Sequence, residues 1–310
     1  MTLYLPLAAL ATILVMATLA LAALLLVGWF SAAQLIERRT PDPPADPGEL
    51  GLAHEPASFR SRDGLRLGGW FIPGEEPRRG TIIFCHGHAG SLDSDLRYVP
   101  ALQAHGFNVL QFDFRAHGRS EGRKVSMGYY ERLDLEAAVD HVQALTPGQI
   151  GVLGFSMGGA VAISTAAQNP AIAAVVSDGG FARLQPTLQA GLRERGVPRW
   201  LSRLVTPWTL RMAGWRLACN LAEADPLRWV HLLSPRPVLF IHGGRDRYVP
   251  QAEIEALHAA AGNPKALWIV QEAEHRRIDE ARPEEYQARV LAFFEEWRVE
   301  GAEDERVAAH

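Results

Sequence analysis

The chain has 310 residues, 48% of them hydrophobic and 21% charged, with a formal net charge of −4. That length and apolar content suffice for one large core, and the charge balance gives no global pull toward nucleic acid. Cys85 and Cys219 are its only cysteines, which excludes a disulfide framework and fits a reducing compartment.

Leu3 to Phe30 contains no charged side chain, and about 20 apolar residues cross a bilayer. Residues 1–30 therefore read as a transmembrane anchor. A secretory signal would carry a basic stretch before a shorter apolar core, whereas no Lys or Arg precedes Arg38. Ser31-Ala32-Ala33 offers a cleavage site as the alternative. Arg38 and Arg39 just after the span predict a single-pass cell-membrane protein with its remaining domain on the cytoplasmic side. Residues 31–57, with Pro41, Pro43, Pro44 and Pro47, predict a semi-rigid extended linker holding that domain off the membrane.

From 58 to 298 strand and helix patterns alternate. Leu65 to Ile72 predicts an early antiparallel strand, and runs near 81–85, 107–113, 149–155, 171–177, 237–242 and 265–271 predict a mostly parallel, twisted sheet flanked by helices. Residues 299–310 form a polar, solvated tail.

Loops at the strand ends carry the chemistry. Thr81 to Cys85 empties into His86-Gly87-His88-Ala89-Gly90, whose small residues let the backbone approach a substrate closely. Ile150 to Leu153 leads into Gly154-Phe155-Ser156-Met157-Gly158, a nucleophile elbow: glycines give room for a sharp strand-to-helix turn that exposes the Ser156 hydroxyl. The N–H groups of His88 and Met157 then form the candidate oxyanion hole. Pro237 to Ile241 ends in His242-Gly243-Gly244-Arg245-Asp246, and Ala266 to Val270 in Gln271-Glu272-Ala273-Glu274-His275, which makes Asp246 the candidate acid and His275 the candidate base. Taken singly, Ser156 reads equally well as a turn serine and Asp246 as a helix-start residue. Their order along the chain, Ser156, Asp246, His275, separates this arrangement from other serine-hydrolase folds. His86, His88, His117 and His242 share the surrounding loops, but no His-x-x-x-His or paired acidic spacing marks a metal site. His86 and His242 read as hydrogen bonders tying loops together, and Asp113 and Arg115 as braces.

With these motifs, and with Phe112-Asp113-Phe114-Arg115-Ala116-His117-Gly118-Arg119-Ser120-Glu121-Gly122 and Gly243-x-x-Asp246-x-x-Val249-Pro250, the chain resembles a serine-nucleophile α/β-hydrolase. The match is to the monoglyceride-lipase and serine-aminopeptidase-like branch. One departure is that Glu274 precedes the base and Arg276-Arg277 follow it, where the branch has small residues, which bears on substrate access. The resemblance implies a helical lid in the long gap between Val176 and Pro237, assigned to 182–228. Phe181, Trp200, Trp208, Trp215 and Trp229 in or beside it either line an acyl pocket or pack the insert onto the body. The same segment carries eight arginines against Glu194, Glu223 and Asp225. That excess is either solvated surface charge or a face for the anionic cytoplasmic leaflet.

The expected protein is thus a membrane-anchored serine hydrolase. It cleaves a carboxylic ester, with a lipid ester among the substrates considered, through an acyl-enzyme, and no metal or organic cofactor is implied. Amide or thioester cleavage by the same triad, and a catalytically silent tethered interaction module, stand as alternatives.

Overall fold

A computed structural model describes residues 4–146 and 148–307, with side chains described from 8 to 296 except at 147. The first three residues of the predicted anchor and the last three of the predicted tail lie outside the described residues. Helix α1 (Tyr4–Ile36) leads into β1 (Glu55–Arg60), β2 (Arg66–Ile72), β3 (Gly80–Cys85), α2 (Val99–Ala104), β4 (Phe107–Phe112), α3 (Glu131–Leu145), β5 (Ile150–Phe155), α4 (Met157–Ala166) and β6 (Ile172–Asp178). The insert holds α5 (Leu184–Glu194) and α6 (Arg199–Leu217), and the chain ends with β7 (Val238–Gly243), α7 (Gln251–Ala260), β8 (Lys265–Val270), α8 (Ile278–Ala281) and α9 (Pro283–Val307).

The strands form one sheet in the order β1-β2-β4-β3-β5-β6-β7-β8. β1 and β2 pair antiparallel, β2 meets β4 antiparallel, and every other pairing is parallel. Helices cover both faces, so β4, β5 and β7 are buried at all their residues and their sequences run apolar rather than alternating. One face packs on α3, α4, α7 and the end of α1; the other packs on α2, α8 and α9. The chain leaves β3 for one side of it and returns through β5 on the other, and the crevice beyond the carboxyl ends at such a switch point is where open α/β sheets bind ligands.

Two expectations change. Strand β1 begins at Glu55, ahead of the boundary read at 58; Pro56 hides it from a periodicity reading and is tolerated because β1 is an edge strand. The Pro-rich segment, expected as a free spacer, lies against the body. Arg39 N donates to Ala116 O at 3.0 Å and Val125 N to Ile36 O at 2.8 Å. The Arg38 guanidinium donates to the carbonyls of Gly118, Ser120 and Gly122 at 2.7, 2.9 and 3.0 Å. Asp42 and Ser91 exchange backbone-to-side-chain bonds at 3.0 and 2.9 Å, and Ala45 N donates to Asp93 Oδ1 at 2.9 Å. Prolines contribute no N–H, so the few donors left in an extended segment find partners on the body.

α1 has two halves. An 18-residue stretch of it is apolar with no residue buried, while Gly28, Ala32, Leu35 and Ile36 are buried at helical spacing. This stripe packs against α6, where a Cβ on Gly28 would sit 3.3 Å from that of Trp208. At about 1.5 Å per residue the helix is roughly 50 Å long, well beyond the ~30 Å hydrocarbon core of a bilayer.

Burying Leu35 and Ile36 contributes roughly 1.5–3 kcal/mol each, a sizeable part of a total stability of about 5–15 kcal/mol. A chain lacking 1–39 is therefore expected to melt at least ~5 °C below one lacking only 1–22, both in mild detergent. Equal melting temperatures would mean that the end of α1 contributes nothing to the fold.

Candidate active site

Ser156 stands between β5 and α4 with φ 51° and ψ −113°, a left-handed conformation that a non-glycine residue holds only when its surroundings impose it. The imposition is steric: a Cβ on Gly154 would collide with the backbone of Gly158, and one on Gly158 with the Cys85 carbonyl. Ser156 N donates to Asp178 O at 2.8 Å, fixing the turn to the end of β6.

His275, in the loop after β8, has Nδ1 2.5 Å from Asp246 Oδ2 and Nε2 3.1 Å from Ser156 Oγ. Asp246 Oδ1 accepts the N–H groups of Tyr248 and Val249, both at 2.8 Å. Its side chain is fully buried yet satisfied on both oxygens. With Nδ1–H donating to the carboxylate, Nε2 is left as the acceptor for the serine hydroxyl.

The loop after β3 lies beside the serine, since a Cβ on Gly87 would be 3.5 Å from Ser156 Cβ. Among the described residues, neither the His88 nor the Met157 N–H has an acceptor within the protein, which leaves both free for a bound oxygen. The His117 ring lies between two carbonyls, with Nδ1 2.8 Å from Arg115 O and Nε2 3.0 Å from His88 O, and the His88 ring donates from Nε2 to Leu35 O at 3.1 Å. The loop after β3 is thereby tied to the end of α1. His86 accepts the Phe114 N–H on Nε2 at 2.9 Å and donates from Nδ1 to Gly87 O at 2.7 Å. Asp113 accepts from Leu92 N and Arg119 N, both at 2.8 Å, while Arg115 pairs with Asp134 and Asp63; both brace loops as expected. His242 does not: both its ring nitrogens are buried without a partner among the described residues.

The residues missed from sequence lie beneath the base. Arg276 follows His275 at φ 55°, turns inward, ion-pairs with Asp95 and lies 4.3 Å over the Phe155 ring. Asp178 is held nearby, its carboxyl pushed up to about 6 by burial against the pull of Arg276, and accepts the Tyr286 hydroxyl at 3.0 Å. The only signal in the sequence was the departure itself, a large charged side chain where small ones are usual.

The insert reaches the rim of the site. Arg247, in the acid loop, pairs with Glu194 of α5 at 2.9 Å, and the Tyr248 ring lies 5.6 Å from that of His275. Phe181 is buried and Trp208 and Trp229 half-buried, so they pack the insert down, while Trp200 and Trp215 face outward. A cleft of about 420 Å³ between α5, α6 and 219–225 is not lined by Ser156, Asp246 or His275.

Residues 76–231 match the family model described as serine aminopeptidase, S33. The chain is 33% identical over 220 residues to the uncharacterized protein YqkD of Bacillus subtilis, covering 69% of this chain and 71% of that one. It is 30% identical over 238 residues to the alpha/beta hydrolase domain-containing protein WAV2 of Arabidopsis thaliana, 73% of each chain. Among solved structures it superposes on the Pyrococcus furiosus esterase Pf2001 with a TM-score of 0.71 and 30% identity, covering 85% of this chain and 98% of that one.

Burial lowers the pKa of four histidines around the site: His86, His88 to about 3, His117 to about 4, and His242. Each therefore gives up its proton more readily in the folded protein than in the unfolded chain, where a histidine takes one up near 6.5. Between those limits the unfolded state binds more protons, so stability is complete above 6.5 and is lost as pH falls. Each histidine contributes a slope of up to about 1.4 kcal/mol per pH unit. Asp178, protonating in the fold near 6, opposes the loss only at lower pH. Urea midpoints are expected to drop as pH falls through 6.5, before carboxylates contribute, and less steeply in His88→Gln. A midpoint flat from pH 7.5 to 5.5 would contradict neutral, buried imidazoles.

Proposed function

We propose that this chain, which belongs to the serine aminopeptidase S33 family of α/β-hydrolases, is a membrane-anchored serine hydrolase that cleaves carboxylic esters through an acyl-enzyme. The observation that carries the reading is the bridge made by His275, at 3.1 Å from Ser156 Oγ and 2.5 Å from the buried Asp246. Ser156 Oγ attacks the substrate carbonyl carbon while His275 Nε2 takes the hydroxyl proton. Asp246 keeps Nδ1 protonated and supports the imidazolium. The carbonyl oxygen, now an oxyanion, accepts from the N–H groups of His88 and Met157. Collapse expels the alkoxide, protonated by Nε2, and leaves the acyl group on Ser156. Water then attacks the ester, His275 takes its proton, and Ser156 Oγ leaves with the proton back from Nε2.

The likeness to the Pyrococcus furiosus esterase favours an ester substrate, whereas the family description favours an amide; a panel of p-nitrophenyl esters and aminoacyl amides decides between them. Ser156→Ala is expected to fold, to lose labelling by a fluorophosphonate and to lower kcat by at least ~10³-fold. Asp246→Asn and His275→Ala act on the same unit, so adding either to Ser156→Ala costs little more. Labelling that survives Ser156→Ala removes the serine from the mechanism, and an unlabelled wild-type chain points to a silent interaction module.

The anchor reading rests on the exposed apolar stretch of α1. Retention of the segment, rather than cleavage after Ala33, is favoured by the burial of Ala32, Leu35 and Ile36 in the core. With Arg38 and Arg39 following the span, the catalytic domain is cytoplasmic. A reporter fused after His310 is expected to be active only if it is of the cytoplasmic type; a signal from a periplasmic reporter reverses the orientation.

A further inference from the structure

We infer that α6 lies in the headgroup layer of an anionic membrane, its outer face making a second contact with the bilayer beside the α1 span. The inference rests on the reading of α1 as that span.

The exposed residues of α6 include Trp200, Arg203, Leu204, Pro207, Arg211 and Trp215, which at about 100° per residue fall within an arc of roughly 120°. Trp200 is 68% exposed, Leu204 47% and Trp215 71%. Two tryptophans and a leucine held in water on one helix face are unfavourable, whereas the membrane–water boundary suits an aromatic ring with a polar edge. Arginine at that depth lays its methylenes on apolar surface and brings its guanidinium to phosphate.

The face continues onto α1. The Trp215 ring lies 5.9 Å from that of Trp29, and the Arg216 guanidinium lies 4.7 Å over Trp29. Beside it Phe30 is 65% exposed. Trp29, Phe30 and Trp215 thus form one aromatic group where the apolar stretch of α1 ends. About 20 residues before Trp29 are enough to reach the far side of the hydrocarbon. That sets the headgroup level at Trp29 and therefore at the part of α6 beside it, Trp208 to Arg216.

Charge points to the same occupant. Of the eight arginines in 182–228, Arg183 pairs with Glu253. Among the described residues, Arg193, Arg195, Arg199, Arg203 and Arg211 have no acidic partner. They are available to lipid phosphates. Pro207, Arg211 and Trp215 also line the 420 Å³ cleft, so its mouth faces the membrane on this arrangement.

The test uses the full chain in vesicles of phosphatidylcholine, with or without phosphatidylglycerol. Resistance to extraction at alkaline pH reads the α1 span by itself. Leu204→Cys in a Cys219→Ser background, labelled with an environment-sensitive fluorophore, reads α6; the remaining Cys85 is buried. The expected result is a blue-shifted emission on anionic vesicles, weaker on neutral ones and reduced by salt. Arg203→Gln and Arg211→Gln should each weaken it about fivefold, read as the anionic-lipid fraction needed for half the shift. Emission that is the same on both vesicle types, with the chain still resisting extraction, overturns the α6 contact and leaves the anchor standing. A shift that follows protein concentration and ignores lipid composition assigns the face to a second copy and also overturns the contact. A chain that washes off at alkaline pH removes the span, and the α6 contact falls with it.

Discussion

The first turn of α4 presses on the end of β3 so closely that a single methyl at Gly158 would strike the Cys85 carbonyl. The geometry on which the proposed chemistry depends follows from that approach. It forces Ser156 into a conformation a non-glycine residue avoids, which lifts its Oγ out of the sheet. It also sets the N–H of Met157 beside the loop that carries the N–H of His88. Parallel register does the rest, with Cys85 opposite Gly154 and Gly243 opposite Val270. The loop after β3 thus sits beside the turn at Ser156, and the loop after β7 beside the loop after β8, although Ser156 and His275 are 119 residues apart.

Around this arrangement the protein buries several histidines, carboxylates and arginines and satisfies most of their polar atoms. His86 and His88 act as hydrogen-bonding struts between loops, and the His117 ring lies between the carbonyls of Arg115 and His88. The Arg276 pair with Asp95 is of a different kind. Burying two charges costs about as much as their attraction returns, so the pair adds little stability. It joins the loop of the base to the turn that follows the oxyanion loop, two segments that must keep their spacing for Nε2 to meet Oγ. The unpaired Asp178 carboxyl oxygen and the bare His242 ring lie in the same shell, where polar groups are retained without full compensation.

Much of this was legible in the sequence because the signals were local. Seven strands announce themselves as β-branched or apolar runs, and each candidate residue stands directly after one. Ser156, Asp246 and His275 could therefore be read from order alone. What escaped was whatever depends on another segment. β1 carries Pro56 and only the short alternation Ala57-Ser58-Phe59-Arg60, and is a strand because β2 offers it a partner. The Pro-rich stretch has the composition of a free linker, and its attachment is decided by carboxylates and carbonyls on the body that no local pattern links to it. Arg276 could be seen as a departure, but its inward turn depends on Asp95, 181 residues away.

The same long-range bonds change what an N-terminal helix means here. A tethered enzyme on a flexible linker samples many orientations, and only its average distance from the membrane is fixed. In this chain the helix that leaves the apolar stretch continues without a break into the core, its last turns buried with Leu35 and Ile36. Leu35 O also holds the His88 ring. No free joint separates the apolar stretch from the loop after β3, so the position of α1 is linked to that of Ser156 through one continuous helix and one hydrogen bond. The orientation of Ser156 relative to the apolar half of α1 is then a property of the fold.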